Sequence, residues 1–464
     1  MTEFTTFMED SLVDASSIPP LEEEDETEKP AADGDSQEEK KLSVGAELRI
    51  LGSCLWEKAW FQIAALSTEA TSWGVLVVLA AVYLAMDPLG LMAHLLDFYP
   101  QGCKPHECLL PVPHVNEWPA DPASKLLNCS VAFHTVVPGP ESLAWDAQGR
   151  IYTGVADGRV VRWSETDGEW KTFAFVSPYW SSEQCDFKHR ANTLLELEHK
   201  CGRPLGLKFS PSGSLYIADA YFGLAVVGPD GGLATVLCNQ SEGRLHLFTN
   251  DVDVDEHTGV VYFTVSSLRT QRKRYNRLVQ EADQTGRVLK YEPELGKTTV
   301  LLKDFKYPNG IALSGDGSFL LIASTTTNRI FKYWLTGQRT ATIEEFARLP
   351  GYGDNVRATE DGKFFWVALH SRRHHIHYVM SNHVWVSRLT APLIRASKRF
   401  AHAVAGEVEP MVIRYNLTGH AVQVLEDRLG ASGVKFVSTA QERCGTLWLS
   451  SIHLPVIWSY RLGA

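Results

Sequence analysis

The sequence predicts an all-β fold, a six-bladed β-propeller preceded by a disordered acidic tail and a single transmembrane helix. Three observations predict it: a strand-and-hairpin unit that recurs along most of the chain, an acidic N-terminal segment, and one long apolar segment between them. The chain has 464 residues, of which 44% are hydrophobic and 21% charged. This composition is ordinary for a globular protein and excludes a wholly disordered or fibrous chain. The net charge of −11 argues against a nucleic-acid partner.

The acidity of the chain lies in its N-terminal tail. Residues 1–41 carry 14 acidic and three basic residues, and the charges of the remaining chain balance. Large apolar residues are few here, so the segment buries too little apolar surface to offset its conformational entropy. We therefore predict a disordered cytosolic tail over 1–45 and a juxtamembrane segment over 46–70.

The apolar segment at 71–96 is predicted to be a transmembrane signal-anchor. Its central part, 73–86, contains no charge, and about 20 apolar residues span a bilayer. A buried helix or a hydrophobic hairpin is the alternative. Basic residues precede the segment, so the positive-inside rule predicts a single-pass type II protein of the endoplasmic reticulum or the plasma membrane. A lumenal linker then covers 97–130.

Two features of the following chain agree with that orientation. Three N-glycosylation acceptors lie after the apolar segment, at Asn128, Asn239 and Asn416. Seven of the eight cysteines also follow it, and some of them should pair in an oxidising compartment. The sequence leaves open the pairing of Cys103, Cys108, Cys129, Cys238 and Cys444, although the last two are expected to be buried thiols.

A repeating unit runs through residues 131–464, which form the predicted propeller. Each copy has an inner strand, a hairpin with glycine and a second strand, and the copies lie at 141–149, 205–213, 250–259, 309–317 and 354–362. The distance from the start of a copy to its hairpin glycine is nearly constant, which favours a propeller over a β-sandwich. A sixth unit fits 434–462. Its missing strand is expected from 131–137, which would close the ring and remove the open sheet edges.

Oxygen-bearing side chains stand at the start of the inner strand in four copies. They are Glu141, Asn250, Asn309, Asp354 and Asn355. Inner strands line the channel of a propeller, so we expect these side chains to lie at similar depth and to face one axis. Carboxylate and amide oxygens are the ligands that Ca²⁺ prefers, whereas zinc sites use Cys or His. The sequence therefore predicts a calcium site, and the alternative is that these residues cap turns.

Several motifs resemble a known family. GPESLAWD, GRPLGLKFSPSGSLYIADAYFGL, YPNGIAL and GYGDNVR are similar to the strictosidine synthase-like propellers, and the resemblance covers residues 100–464. Within that family the chain looks most like a single-span membrane glycoprotein. The wider superfamily includes paraoxonases, calcium-dependent lactonases and arylesterases. By resemblance, their calcium ligands match Glu141, Asn250, Asn309, Asp354 and Asn355.

The chain departs from its relatives at their catalytic positions. In paraoxonases two histidines are thought to act together as the base, and the matching positions here are Leu205 and Ala220. Strictosidine synthases use a glutamate in the last blade, and the matching position here is Ser438. The resemblance therefore argues against strictosidine synthase activity and leaves a hydrolase without its usual base.

These observations predict a membrane-anchored, calcium-dependent, arylesterase-like hydrolase of small-molecule esters or lactones. The ion would polarise the scissile carbonyl and stabilise the oxyanion that forms, and Asp354 or Asp251 is the candidate base. No GxSxG motif supports a serine hydrolase. The alternatives are a non-catalytic, membrane-tethered receptor or scaffold and a strictosidine synthase-type biosynthetic enzyme. The oligomeric state is left open.

Four further features are interpreted from the sequence. By resemblance, Cys185 and Cys201 are expected to form a disulfide that holds an insertion over the channel. Asp219 is expected to be a turn acceptor or a part of the channel mouth. His370–His377 is expected to be a solvated loop rather than a metal site. Residues 378–400 are expected to form an amphipathic helix that contacts the membrane or packs on the propeller.

Overall fold

Six antiparallel sheets form the fold and confirm the predicted all-β, six-bladed propeller. The structure is a computed structural model that describes residues 118–133, 135–190, 194–280, 283–372, 409–428 and 430–463. The inner strands of blades 1 to 5 coincide with the five predicted copies of the repeat, and that of blade 6 lies within the predicted sixth unit. The nearly constant distance from the start of each copy to its hairpin glycine is therefore the length of an inner strand and its turn.

The strands of the first three blades have the following bounds. Blade 1 contains β2 (Leu143–Trp145), β3 (Ile151–Gly154), β4 (Arg159–Ser164), β5 (Glu169–Phe175) and β9 (Gly232–Leu233). Blade 2 contains β6 (Pro204–Phe209), β7 (Leu215–Asp219), β8 (Gly223–Val227) and β10 (Thr235–Cys238). A separate pair, β11 (Gln240–Ser241) and β12 (Arg244–Leu245), precedes blade 3. Blade 3 contains β13 (Phe248–Val254), β14 (Val261–Ser267), β15 (Gly286–Glu292) and β16 (Lys297–Phe305).

The remaining blades complete the ring. Blade 4 contains β17 (Pro308–Leu313), β18 (Phe319–Ser324), β19 (Arg329–Trp334) and β20 (Ile343–Arg348). Blade 5 contains β21 (Gly351–Ala358), β22 (Phe364–Arg372), β23 (Met411–Asn416) and β24 (Ala421–Glu426). Blade 6 contains β25 (Val437–Arg443), β26 (Thr446–Ser451), β27 (Ile457–Arg461) and β1 (Ser130–Val131). The described helices are α1 (Ser182–Cys185), α2 (Phe187–Arg190), α3 (Leu194–Cys201) and α4 (Asn276–Gln280), with 3-10 turns at Lys125–Asn128 and Arg272–Arg274.

Strands from both ends of the described chain close the ring. In blade 6, β1 pairs antiparallel with β27, and Val131 lies opposite Trp458. The closing strand therefore comes from the predicted place, but it is only Ser130–Val131 rather than 131–137. Blade 1 also has a fifth strand that the sequence did not predict, because β9 pairs in parallel with β5.

The core lies between the blades. Adjacent sheets pack face to face, and each of the six interfaces has its own cluster of buried apolar side chains. Both faces of a second strand are therefore covered, and every residue of β14 and of β18 is buried. This packing fixes the blades around the channel and holds their inner strands in register.

Residues before the predicted boundary at 131 also belong to the packed body. Leu126 is fully buried among side chains of blades 5 and 6. The Trp118 indole donates a hydrogen bond to the Tyr415 hydroxyl at 3.2 Å, and Asp121 accepts one from the Glu426 amide at 3.1 Å. The boundary between linker and propeller thus falls inside a packed region.

An inserted helical segment precedes blade 2. A disulfide joins Cys185 in α1 to Cys201 in α3, with Cα atoms 5.6 Å apart, and confirms the expected bridge. Closing a loop of this size contributes roughly 3 kcal/mol in the chain-entropy account. Cys129, Cys238 and Cys444 are free thiols. Cys238 is buried as expected, whereas Cys444 is exposed because it lies at the tip of the β25–β26 hairpin.

Several predictions fall outside the described ranges: the acidic tail, the span at 71–96, Cys103, Cys108, residues 373–377 of the histidine-rich stretch and residues 378–400. His370 itself lies on β22 and not in the expected solvated loop, because the second strand of blade 5 extends to Arg372. Within the described ranges, no helix is both long and apolar enough to cross a membrane. Of the three glycosylation acceptors, Asn128 and Asn239 are exposed and Asn416 is half-buried. Their glycosylation stays a prediction.

Candidate metal centre

Four blades bring the predicted oxygen donors to one part of the channel. Asn250 lies on β13, Asn309 on β17, and Asp354 with Asn355 on β21. Glu141 lies just before β2, where its backbone N–H donates to the carbonyl of Gly154 at 3.3 Å. All five residues are buried. The sequence placed them at matched positions of the repeat, and the inner strands account for that match.

Blades 3 and 4 orient their asparagines through the same hydroxyl relay. The Asn250 amide nitrogen donates to the Ser266 hydroxyl at 3.0 Å, which donates to the Pro308 carbonyl of the next blade at 2.8 Å. The Asn309 amide nitrogen donates to the Thr325 hydroxyl at 3.0 Å, which donates to the Gly353 carbonyl of the next blade at 2.7 Å. Each relay fixes one amide and ties two blades together.

Blade 5 and blade 6 hold the remaining donors. The Asn355 amide nitrogen donates to Glu141 Oε1 at 2.7 Å and to the Thr439 hydroxyl at 2.8 Å. The backbone carbonyl of Glu141 accepts hydrogen bonds from the hydroxyls of Ser438 at 2.9 Å and Ser450 at 2.6 Å. Blade 6 thus supplies none of the predicted metal ligands, but its hydroxyl groups fix the position of Glu141.

A glycine lets blades 4 and 5 approach each other at the donors. A Cβ atom on Gly310 would lie 2.6 Å from the Asn355 Cα and 2.5 Å from the Val356 nitrogen. Contacts this short do not occur between real atoms, so a side chain at 310 would push Asn309 away from Asp354 and Asn355.

The donor set leaves oxygen atoms free to bind a cation. Glu141 Oε2, Asn309 Oδ1 and Asn355 Oδ1 are buried without a hydrogen-bond partner in the described part of the chain. A buried oxygen without a partner is costly, and a hard cation such as Ca²⁺ binds oxygens of this kind. The residues therefore fit calcium. The described residues contain no group of three or more His, Cys, Asp or Glu that could hold a metal, so the fit depends on the asparagine oxygens.

The electrostatics of the two carboxylates agree with a cation site. Burial, with Asp251 nearby, raises the pKa of Glu141 to about 7. Burial also raises the pKa of Asp354 well above its usual value, and the neighbouring Glu141 raises it further, while a hydrogen bond from Asn309 opposes the shift. Two carboxylates in one desolvated site repel each other, and a divalent cation between them would remove that repulsion.

Asp251 is not available as a base. Its two oxygens accept hydrogen bonds from the Arg357 guanidinium at 2.6 and 2.8 Å, and Oδ2 also accepts one from the Ile311 amide at 2.8 Å. Arg357 lines a cavity of about 170 Å³ on the far side of this pair, together with Lys208 and Asp253. Asp251 and Arg357 therefore form a structural ion pair below the donors, so the sequence-based assignment of Asp251 as a base finds no support in its contacts.

Blade 2 presents no oxygen donor. Leu205 and Ala220 are fully buried in an apolar cluster with Phe248 and Tyr307. Asp219 is a turn acceptor, because its carboxylate receives the backbone N–H groups of Arg203, Tyr221 and Phe222. Burial raises the pKa of Asp219 to about 6.

A buried ion network covers the channel beside blade 2. Glu198 on α3 pairs with Arg272, and its Oε1 lies 3.9 Å from Arg203 Nε. The Tyr221 hydroxyl donates to Glu198 Oε2 at 2.8 Å, and Arg203 donates to the Gly139 carbonyl at 2.7 Å. The disulfide-bonded insertion is thereby joined to the chain beside Glu141.

Sequence reasoning missed the residues that orient the donors. Ser266 and Thr325 each follow their asparagine by 16 positions, which places a hydroxyl at the end of the second strand of both blades. That repeated spacing is visible in the sequence. No spacing in the sequence marks Thr439, because it contacts Asn355 from another blade.

Comparisons with known proteins agree with this architecture. The family model described as strictosidine synthase matches residues 250–338, and the one described as strictosidine synthase-like, N-terminal, matches 134–163. Strictosidine synthase-like protein 3 of Arabidopsis thaliana is 39% identical over 394 residues, which cover 82% of this chain and 96% of that protein. The adipocyte plasma membrane-associated protein of Salmo salar is 34% identical over 348 residues, 73% of this chain and 79% of that protein.

The chain belongs to the strictosidine synthase-like family of β-propellers. The family member that the sequence motifs resemble most is the adipocyte plasma membrane-associated protein, and the salmon relative carries that name. A solved gluconolactonase from Xanthomonas campestris is similar with a TM-score of 0.48 and 14% identity, covering 73% of this chain and 91% of that one.

Proposed function

We propose that this protein is a membrane-anchored, calcium-dependent hydrolase of small-molecule esters or lactones. The observation that supports the proposal is the set of buried oxygen atoms without partners on Glu141, Asn309 and Asn355. Turn residues would use these oxygens to accept backbone N–H groups, as Asp219 does. Here the amide nitrogens of Asn309 and Asn355 donate to Thr325 and to Glu141 Oε1, which leaves the two amide oxygens and Glu141 Oε2 free.

A bound calcium ion would polarise the scissile carbonyl of the substrate. The residues of the chain do the rest. Hydroxyl relays hold the asparagine amides in fixed orientations, and the buried apolar packing of Leu205 and Ala220 closes the blade 2 side of the channel. Asp354 is the predicted base that remains, but a carboxylate that binds a cation has a lowered pKa and accepts protons poorly.

Turnover by the full-length chain, purified in detergent, tests the proposal. Aryl esters and lactones are supplied with calcium, with a chelator, and to the Glu141→Gln variant. We expect turnover that falls at least tenfold in chelator and in Glu141→Gln, because both remove the cation. Equal rates with calcium and with chelator would contradict the calcium role, and no turnover under any condition would contradict the hydrolase.

One observation favours a second candidate, a non-catalytic propeller receptor or scaffold. Leu205 and Ala220 occupy the positions at which the resemblance places a histidine base, and both are buried in apolar packing. In that case calcium would hold the blades together. A chain that binds calcium and is stabilised by it, but turns over no ester or lactone, would fit this candidate.

A strictosidine synthase-type reaction is the weakest of the three. At the matching position Ser438 uses its hydroxyl to hold the Glu141 carbonyl, and a serine cannot replace a carboxylate as a proton acceptor. The proposal also includes a type II orientation with the propeller in the lumen or outside the cell. Modification of Asn128 and Asn239, both exposed, would support it, and removal of the glycans by a glycosidase is the measurement.

A further inference from the structure

Three ring side chains from blades 5 and 6 meet at one end of the channel. His370 lies on β22, Phe436 comes directly before β25, and His453 follows β26. The ring centroids of the two histidines are 5.3 Å apart, and Phe436 lies 5.1 Å from His370 and 5.4 Å from His453. Phe436 has a φ of 52°, a conformation that bulky residues rarely adopt.

This group lies at the same end of the channel as the oxygen donors. On blade 5, Leu369 is the register partner of Gly353, so His370 stands beside the strand that carries Asp354. On blade 6, Phe436 comes two residues before Ser438, and His453 comes three after Ser450, and both serines bind the Glu141 carbonyl.

Tyr275 joins the group from the blade 3 side. Its ring lies 6.1 Å from that of His453, and the charge of Asp354 contributes to the raised pKa of its hydroxyl, after burial. The ring side chains therefore come from segments of blades 3, 5 and 6, whereas the apolar cluster of Leu205 and Ala220 belongs to blade 2.

Both histidines have an imidazole nitrogen available at neutral pH. Burial lowers the pKa of His370 to about 4. Burial, His370, Arg272 and Arg203 lower that of His453. His370 Nε2 is buried without a hydrogen-bond partner among the described residues. Both residues are only half-buried and retain some exposed surface at this end of the channel, although His370 Nε2 itself is buried.

We infer that His453 and His370 form the proton-accepting pair of this site, an assignment that rests on the proposed hydrolase function. Water attacks the carbonyl carbon of the ester or lactone, its O–H bond breaks as the new C–O bond forms, and the proton passes to an imidazole nitrogen. The same proton then moves to the leaving alkoxide oxygen as the old C–O bond breaks. Acid and alcohol are the products, and both histidines return to the neutral state.

The surroundings suit a proton that is held briefly. The Phe436 ring is close enough to stabilise an imidazolium by cation–π attraction, and the second histidine shares the charge. Burial, together with Arg203 and Arg272, makes His453 a weaker base than a free imidazole and favours release of the proton to the leaving group. This pair takes the place of the bases that are absent at Leu205 and Ala220, but it comes from other blades.

The full-length chain in detergent, with calcium, tests the pair through His453→Gln, His370→Gln and the control His257→Gln, whose side chain is exposed in the β13–β14 hairpin. We expect kcat for an aryl ester to fall about 10²–10⁴-fold in the first two, the usual range for a lost general base. KM, calcium affinity and Tm should stay near the unsubstituted values, and added imidazole should restore part of the kcat of His453→Ala.

The outcomes separate this inference from the proposed function. Turnover by the unsubstituted chain that persists within tenfold in both histidine variants would overturn the pair alone. A loss of kcat that accompanies an equal loss of calcium affinity or of Tm would also overturn it, because the histidines would then be structural. No turnover by the unsubstituted chain would overturn the hydrolase and the pair together.

Discussion

Blades 3 and 4 differ from blade 2 in what they present to the channel. In blades 3 and 4 an asparagine on the inner strand is held by a hydroxyl of the second strand, which in turn binds the next blade. In blade 2 the matching strands carry Leu205 and Ala220, and a backbone hydrogen bond from Thr249 to the Ala220 carbonyl makes the connection to blade 3. The same repeat therefore presents either a candidate metal ligand or an apolar wall to the channel. The outcome depends on one side chain of the inner strand and one at the end of the second strand.

In this fold, the side chain at one position of each inner strand decides whether a blade contributes to the binding site. The backbone of a blade satisfies its own hydrogen bonds, so the inner side chain is free to vary. Where the inner side chain is an asparagine, its amide nitrogen donates to the hydroxyl of the second strand. For Asn309 the amide oxygen is then left without a hydrogen-bond partner among the described residues. Where the inner side chain is leucine, as in blade 2, apolar packing closes the channel wall, and the candidate metal ligands come from blades 1, 3, 4 and 5.

The largest expected effect concerns the ion network beside blade 2. Glu198→Ala leaves the buried guanidinium groups of Arg203 and Arg272 without their counter-charge, so we expect the free energy of unfolding to fall by about 3–5 kcal/mol. Chemical denaturation measures it. In the control Glu196→Ala, an exposed carboxylate loses its ion pair with Lys273, and the loss should stay below about 1 kcal/mol. Equal losses in the two variants would contradict the network.

The next effect is a pH dependence that calcium removes. The folded-state pKa of Glu141 is about 7 against a usual 4.5, so the folded state holds a proton that the unfolded state releases. The stability of the chelated unsubstituted chain, relative to that of chelated Glu141→Gln, should therefore fall by up to about 3 kcal/mol as pH rises from about 4.5 through 7. Thermal unfolding of both chains at a series of pH values measures it, because the titrations of Asp219 and His370 are common to the two chains. Calcium should flatten the difference, and equal pH slopes in the two chelated chains would contradict the raised pKa of Glu141.

A smaller effect tests the relay of blade 4. Thr325→Val leaves the Asn309 amide nitrogen and the Gly353 carbonyl without their shared partner, which should cost about 1–3 kcal/mol and lower calcium affinity about 10–100-fold. Thr326→Val is the matched control, because the buried Thr326 hydroxyl has no hydrogen-bond partner among the described residues. Titration calorimetry and denaturation follow both variants. If Thr326→Val weakened calcium binding as much, the relay would not be the cause.

The smallest effect is expected in blade 2. Leu205→Met nearly conserves volume in an apolar cluster, so the free energy of unfolding should change by less than about 1.5 kcal/mol. Calcium affinity should not change, because blade 2 supplies no oxygen to the candidate metal site. A tenfold loss of affinity in Leu205→Met would show that blade 2 takes part in the site.

The fold could be predicted from the sequence because each repeat is formed by residues that lie close together in the chain. Five inner strands were predicted from the spacing between the first residue of a copy and its hairpin glycine. Each spacing is set within a single hairpin. Strand β9 was missed because it pairs in parallel with β5 of a different blade, and no local pattern marks such a contact.

The candidate site was only partly visible in the sequence for the same reason. The donors share a position in the repeat, so they were predicted together. His370 and His453 come from different blades and meet only when the ring closes, and His370 was placed in a solvated loop because arginines and further histidines follow it. Asp251 was proposed as a base because its pairing with Arg357 on another blade cannot be read from spacing.

Calcium titration of the full-length chain by isothermal calorimetry tests the central claim most directly. We expect one Ca²⁺ per chain, an affinity at least tenfold weaker in Glu141→Gln, and an unchanged affinity in Leu205→Met. No binding by the unsubstituted chain, or the same affinity in Glu141→Gln, would contradict the claim that the donors of blades 1, 3, 4 and 5 form a calcium site.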